Sequence, residues 1–265
     1  MSVRQLVRGT VPWSTLEVVG QELAQRYDRD VVRIEFLEAE NWLSTPIVVD
    51  EKWFVKVISQ RNAFVHAVFT GARNLGAFSS GTPGFFEHFE NPGEMAEHDL
   101  EATRKIREVG VNAPEPIEAF DIDSVGVVVF DYLEGFRTLE ACNPDEIRGL
   151  LPDLFDSLAR MHRNGLAHGD LRGENVLVQN DEIFFIDATA VRPGTIPPAR
   201  AYDIACALGT LEPHVDASDA VAAAVEQYGI DAVLDAVDFL DFVNIRPDHD
   251  FDAAAVKGEI NTIAS

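Results

Sequence analysis

The segment His168-Gly169-Asp170-Leu171-Arg172-Gly173-Glu174-Asn175 constrains the fold more than any other stretch, because of what flanks it. Upstream, Asp145–Arg163 carries Leu150, Leu151, Leu154, Leu158 and Met161 along one side, so the spacing predicts a long amphipathic helix. Downstream, Val176–Val178 and Ile183–Ile186 read as short apolar strands joined by Gln179-Asn180-Asp181-Glu182, and the second delivers Asp187. A polar, glycine-containing loop is thereby fixed between two elements that must each bury an apolar face.

An acid and an amide five residues apart on one loop, with a second acid at the end of an apolar strand, suit phosphoryl transfer. That reaction needs a carboxylate to orient the attacking hydroxyl and accept its proton, and oxygen ligands for Mg²⁺. The H-x-D-x-x-x-x-N positions and the later acid resemble the protein-kinase superfamily. HGDLRGENVLV, with Gly169 where an arginine is usual, looks like the RIO and KEOPS-associated small kinases, and also like aminoglycoside phosphotransferases. The resemblance covers roughly residues 31–215. It implies ATP and Mg²⁺ as cofactors, Asp170 as the catalytic carboxylate, Asn175 and Asp187 as metal ligands, and Arg172 beside the transferred phosphate. It also implies that His168 packs rather than transfers protons, and that Asp203 holds the loop from the start of a helix, a position that an ordinary N-cap would equally occupy.

The first half offers matching parts. Strands are expected at Val31–Leu37, Ile47–Val49 and Trp53–Ile58, with Asp50-Glu51-Lys52 as a hairpin turn. Lys56 lies inside the last apolar run, where an unpaired ammonium would be costly. The resemblance makes it the lysine that orients the α- and β-phosphates. Its partner is expected on a helix from about Pro92 to Val109, where Met95, Asp99, Ala102, Ile106 and Val109 share one face. Asp99 is the only acid on that stripe; Glu97 or Glu94 would serve if the helix were rotated. Strands at Ile117–Phe120 and Val125–Phe130 follow. The second runs into Asp131-Tyr132-Leu133-Glu134-Gly135, which looks like a kinase hinge whose backbone at Asp131 and Leu133 binds adenine.

Two features depart from that family. No Gly-x-Gly-x-x-Gly follows the first strand; Glu38–Thr45 occupies the turn, leaving Ser44, Thr45 or backbone amides to meet phosphate. Asp187-Ala188-Thr189 stands where D-F-G is usual, and no A-P-E follows, so a phosphorylation-controlled activation loop is not expected.

The fold class expected is therefore α+β, a two-lobe protein-kinase-like fold. Residues 1–30 would form a helical extension, opened by a capping box at Ser14-Thr15-Leu16-Glu17. Residues 31–133 would form a strand-rich N-lobe with one helix and a Gly- and Phe-rich insertion at 60–93, and residues 134–265 a helical C-lobe. Arg246–Asp252 reads as an acidic surface turn before a last helix, with a metal-binding cluster or a tail that caps the C-lobe as the alternatives.

Composition sets the surroundings. Forty-five acids face 21 lysines and arginines, giving a net charge of -24, and only four residues are lysine. A scattered acidic surface of this kind suits a salt-rich cytosol, where screening relieves self-repulsion, and it disfavours nucleic acid. Cys142 and Cys206 offer neither a disulfide framework nor a zinc site. Neither a signal peptide nor a membrane span is expected, and the location expected is cytoplasmic. The function expected is an ATP- and Mg²⁺-dependent RIO-type serine/threonine kinase or ATPase. A small-molecule phosphotransferase and a nucleotide-binding scaffold are the alternatives. The hydroxyl acceptor, protein or small molecule, is not specified by the residues.

Overall fold

Pro12, rather than Ser14, opens the first helix in the computed structural model of the chain, which describes residues 11–37, 44–63, 89, 91–188, 195–246 and 249–265. Helix α1 spans Trp13–Arg26, and the Pro12 carbonyl accepts from Thr15 and Leu16 N–H at 2.9 and 3.2 Å. The expected capping box is therefore absent. A proline ring holds φ near the helical value before the helix begins, so the start moves back and Ser14 falls inside the first turn. Leu16, Val19 and Leu23 form its buried face.

Those side chains pack on a five-stranded antiparallel sheet built from β1 (Ile34–Phe36), β2 (Thr45–Val49), β3 (Trp53–Ser59), β4 (Pro116–Ile122) and β5 (Val125–Asp131). Its order is β1-β2-β3-β5-β4. Helix α2, Pro92–Glu108, contributes Met95 and Ala96 to a separate cluster with Ile58, Val128 and Phe130. Apolar clusters thus lie on both sides of the central strands, which is why β3 and β5 read as nearly continuous apolar runs rather than alternating ones. Period-two alternation then puts Phe54, Lys56 and Ile58 on the α2 side, with Lys56 opposite Val128.

Contacts divide the chain into two compact units. One holds α1, the five-stranded sheet and α2 as far as Arg104; the other holds Lys105–Ala113 and Gly135–Ser265. The second unit carries a small sheet in the order β6-β7-β8, with β6 at Arg137–Thr138, β7 at Val176–Gln179 and β8 at Glu182–Phe185. Strand β6 was not expected, since two residues are too few to show a period. The β7–β8 turn places Asn180 and Asp181 at φ +52° and +64°, the left-handed pair that a tight hairpin demands and that Asn and Asp tolerate.

Helix α3, Pro144–Arg163, begins one residue before the expected start, because Asn143 caps it. Its side chain accepts from Asp145 and Glu146 N–H while Glu146 accepts from Asn143 N–H at 2.9 Å; such a cap stabilises by about 1 kcal/mol. All five expected apolar positions are buried, each contributing roughly 1.5–3 kcal/mol relative to exposure. Helices α4 (Ile196–Leu211), α5 (Ala217–Tyr228), α6 (Ile230–Ile245) and α7 (Ala253–Ala264) complete the unit.

Helix α4 is buried on nearly every side, as a helix apolar all round must be. It starts at Ile196, so Asp203 lies about two turns inside it and the N-cap reading is corrected. The Arg246–Asp252 expectation is corrected too, because Arg246, His249 and Phe251 turn inward. The Phe251 ring fills the space that Gly209 of α4 leaves; a methyl at Gly209 would come within 2.7 Å of it. Asp252 then caps α7 by accepting from Ala254 and Ala255 N–H. Most of the expected insertion and the turn at 38–43 lie outside the described residues. Among the described residues, no helix is long and apolar enough to cross a membrane.

Candidate active site

In the first unit, Lys56 Nζ lies 2.7 Å from Asp99 Oδ2, with side-chain exposures of 6% and 16%. The ammonium also lies 5.4 Å from the centroid of Phe130 and 6.0 Å from that of Phe54. A charge so far withdrawn from water needs its counter-charge. Asp99 provides it, while Glu94 and Glu97 are exposed. At the exit of β5, Asp131 N–H donates to the Glu115 carbonyl and Tyr132 N–H to the Lys52 carbonyl. This fixes the backbone that leads to Leu133; the Asp131 side chain is exposed and that of Leu133 half-buried. Ser44, at the entry to β2, is buried, and its hydroxyl has no hydrogen-bond partner among the described residues.

In the second unit, the buried Asp203 carboxylate holds the start of the loop that carries Asp170, Arg172 and Asn175. Asp203, fully buried, accepts from His168 N–H and Gly169 N–H, both at 2.7 Å, and bonds His162 Nε2 at 3.0 Å. Gly169 takes φ +76° there, a conformation strained for any residue with a side chain. Glycine at this position thus has a local backbone reason. The His168 ring bonds the Ile186 carbonyl through Nε2 at 3.0 Å, so that nitrogen carries the proton. Nδ1 then accepts from Asp170 N–H at 3.3 Å. Burial holds the imidazole below its ordinary pKa, which keeps it neutral and makes it part of the frame.

The loop is closed onto β8 by two further bonds. Asn175 Nδ2 donates to the Asp170 carbonyl at 2.8 Å, and Ile186 N–H donates to the Asn175 carbonyl at 3.1 Å. Asp187 follows at φ +62°, an uncommon conformation for a non-glycine residue of the kind held at functional sites. Asp170 Oδ2 lies 3.4 Å from Arg172 Nε, and Arg172 also pairs with Glu174 and reaches Asn175 Oδ1 at 3.5 Å. Burial raises the Glu174 carboxyl against the opposing pull of Arg172. Asp170 Oδ1 receives Arg246 Nη2 at 2.8 Å. Sequence reasoning missed Arg246, because it is remote from the motif; its one signal was a lone base in an acidic stretch.

These donors can be tested against the expected cofactors. Asn175 and Asp187 would provide one amide oxygen and one carboxylate, both hard ligands, and the Asn175 carbonyl is bonded by the N–H of Ile186, the residue before Asp187. Mg²⁺ takes such a sparse set when phosphates and water complete its shell. Among the described residues, no group of three or more His, Cys, Asp or Glu would hold a metal ion by itself. The set fits a metal that arrives with a nucleotide.

The family model described as RIO domain matches residues 90–199. The KEOPS complex subunit Bud32 of Pyrococcus abyssi is 30% identical over 88 residues, covering 32% of this chain and 39% of that protein. A probable bifunctional tRNA threonylcarbamoyladenosine biosynthesis protein of Thermoplasma acidophilum is 33% identical over 94 residues, 36% of this chain and 17% of the relative. The chain therefore spans well under half the length of these curated relatives. Among solved structures, the GDP complex of aminoglycoside 2'-phosphotransferase-IIIa aligns over 96% of this chain and 98% of its own, at 12% identity and a TM-score of 0.51. Aminoglycoside-3'-phosphotransferase of type VIII aligns over 84% and 99%, at 17% identity and a TM-score of 0.50. At such identities the likeness carries the fold alone, and that fold is protein-kinase-like.

Proposed function

We propose that this protein-kinase-like chain is an ATP- and Mg²⁺-dependent phosphotransferase of RIO type, acting as a serine/threonine kinase or an ATPase. The observation that carries the reading is the closed loop from His168 to Asp187. In it Asp203, Asn175 and Ile186 fix the backbone that presents Asp170 and Asp187.

Each residue has one task. Lys56, kept charged by Asp99, orients the ATP phosphates. Asn175 and Asp187 hold Mg²⁺, which neutralises phosphate charge when bound. Asp170 orients the acceptor hydroxyl and takes its proton as the oxygen bonds to the γ-phosphorus. The bond to the bridging oxygen breaks, and its electron pair leaves with ADP. Arg172 stands beside Asp170 as a forked donor for phosphate oxygens. Asp131 and Leu133 offer backbone groups to adenine, and Ser44 a hydroxyl to phosphate. The catalytic effect is mainly positioning and electrostatic stabilisation.

The matched Pyrococcus protein is a complex subunit, which supports a protein partner here as well. The net charge of -24 and the scarcity of lysine support a salt-rich cytoplasm.

Purified protein with Mg²⁺, labelled ATP and high KCl should release phosphate or label itself, and Asp170→Ala should abolish this. Label that transfers only after a metabolite mixture is added would favour a small-molecule acceptor. Nucleotide binding without turnover under all these conditions would overturn the enzyme in favour of a scaffold.

A further inference from the structure

Arg246 lies outside the segment that matches the RIO domain, yet it reaches the residue on which the proposed chemistry turns. Nη2 donates to Asp170 Oδ1 at 2.8 Å. Nη1 donates to the Tyr202 hydroxyl and stands 3.8 Å from Cys206 Sγ, both on α4. The side chains of Arg246 and Asp170 are 9% and 4% exposed.

The arginine is also fixed at its backbone. It follows directly on α6 as its C-cap, and the chain beyond it is pinned to α4. There the Phe251 ring sits over Gly209, and Asp252 N–H donates to Glu212 Oε2 at 3.0 Å. An arginine held at both ends and shielded from water is scaffold, not a movable strap.

A carboxylate torsion is soft, with a broad two-fold profile, so Asp170 needs outside contacts to present one oxygen in one direction. We propose that Arg246 is a positioning residue for phosphoryl transfer. It holds Asp170 Oδ1 and so turns Oδ2, the oxygen beside Arg172, to the acceptor hydroxyl. This role rests on the phosphotransferase reading given above. It assigns the C-terminal segment a part in catalysis: α6 and the docked residues Phe251 and Asp252 form the mount for the arginine.

The test compares Arg246→Lys, Arg246→Met and Arg246→Ala with the unaltered protein by steady-state ATP turnover, nucleotide affinity and thermal unfolding. Misplacing a reacting group by about 1 Å costs on the order of 100-fold. The expected result is a fall in kcat of roughly 10- to 100-fold in the Met and Ala variants, with the KM for ATP within about twofold. Low-millimolar guanidinium should restore part of the kcat of Arg246→Ala and leave the unaltered protein unchanged. A purely structural role would give neither the split nor the rescue. If the Ala and Met variants fail to fold, Arg246→Lys decides. Folded protein with kcat reduced at unchanged KM supports the role, and full kcat overturns it. Turnover by the unaltered protein with unimpaired Arg246 variants overturns this role alone. No turnover by the unaltered protein overturns the phosphotransferase reading, and this role with it.

Discussion

Lys56 and Asp99 meet at 2.7 Å across strand β3 and helix α2, both largely withdrawn from water. A buried pair of this kind is weak evidence for stability, because desolvation offsets most of the attraction. Removing one partner is different, since it strands the other charge. Lys56→Met or Asp99→Asn alone should cost about 3–5 kcal/mol. The double variant Lys56→Met/Asp99→Leu should recover most of that loss, because Phe54, Phe130 and Met95 already make the surroundings apolar. It should nevertheless lose ATP turnover. Urea denaturation and a turnover assay on the four proteins check both halves. Single replacements that cost under about 1 kcal/mol, or a double variant that still turns over ATP, would refute the argument.

His168 should leave a signature in the pH dependence of stability. Its ring is fully buried, and desolvation holds its pKa below the ordinary value of 6.5. The unfolded chain therefore binds a proton first as pH falls through about 6.5, and stability drops with acidification until the folded ring also titrates. The charges that oppose this shift are the carboxylates of Asp203, Asp170 and Asp187. One proton of linkage corresponds to about 1.4 kcal/mol per pH unit. Unfolding free energies between pH 5 and 7 should fall with acidification in the unaltered protein, with that slope as the upper limit, and His168→Asn should flatten the fall. Equal slopes in the two proteins would mean that the folded ring titrates as it does in the unfolded chain.

Much of the site was legible in the chain because its parts are local. Asp170, Asn175 and Asp187 fall within one loop and hairpin, and a short spacing leaves the backbone few ways to arrange them. Asp99 was legible because a helix period and a single acid on an apolar stripe suffice to choose it. What was not legible depends on contacts between distant elements. Arg246 reaches Asp170 only because α6 ends beside α4, and nothing near position 246 announces that. Asp203 was expected at a helix start; the helix begins at Ile196, in a segment whose paired prolines, Pro197 and Pro198, are tolerated in a first turn but do not signal one. The inward turn of Phe251 depended on Gly209, a residue without a side chain to betray the slot.

Gly126 and Gly209 allow a last comparison of how close packing supports the site. A methyl at Gly209 would lie 2.7 Å from the edge of the Phe251 ring, whereas one at Gly126 would lie 2.2 Å from the carbonyl oxygen of Pro92 and 2.6 Å from its carbon. A ring can tilt, but the first turn of α2 can yield only by moving the helix. Overpacking typically costs 1–3 kcal/mol. Gly209→Ala should fall within about that range, and Gly126→Ala should exceed it. Because α2 carries Asp99, its displacement from β5 should also loosen the contact with Lys56. Gly126→Ala should therefore lose turnover beyond what its unfolded fraction explains. Urea unfolding and turnover of both variants measure this. A Gly126→Ala protein at least as stable as Gly209→Ala would mean that α2 slides without cost, and Asp99 would then not be held by the close approach of helix and strand.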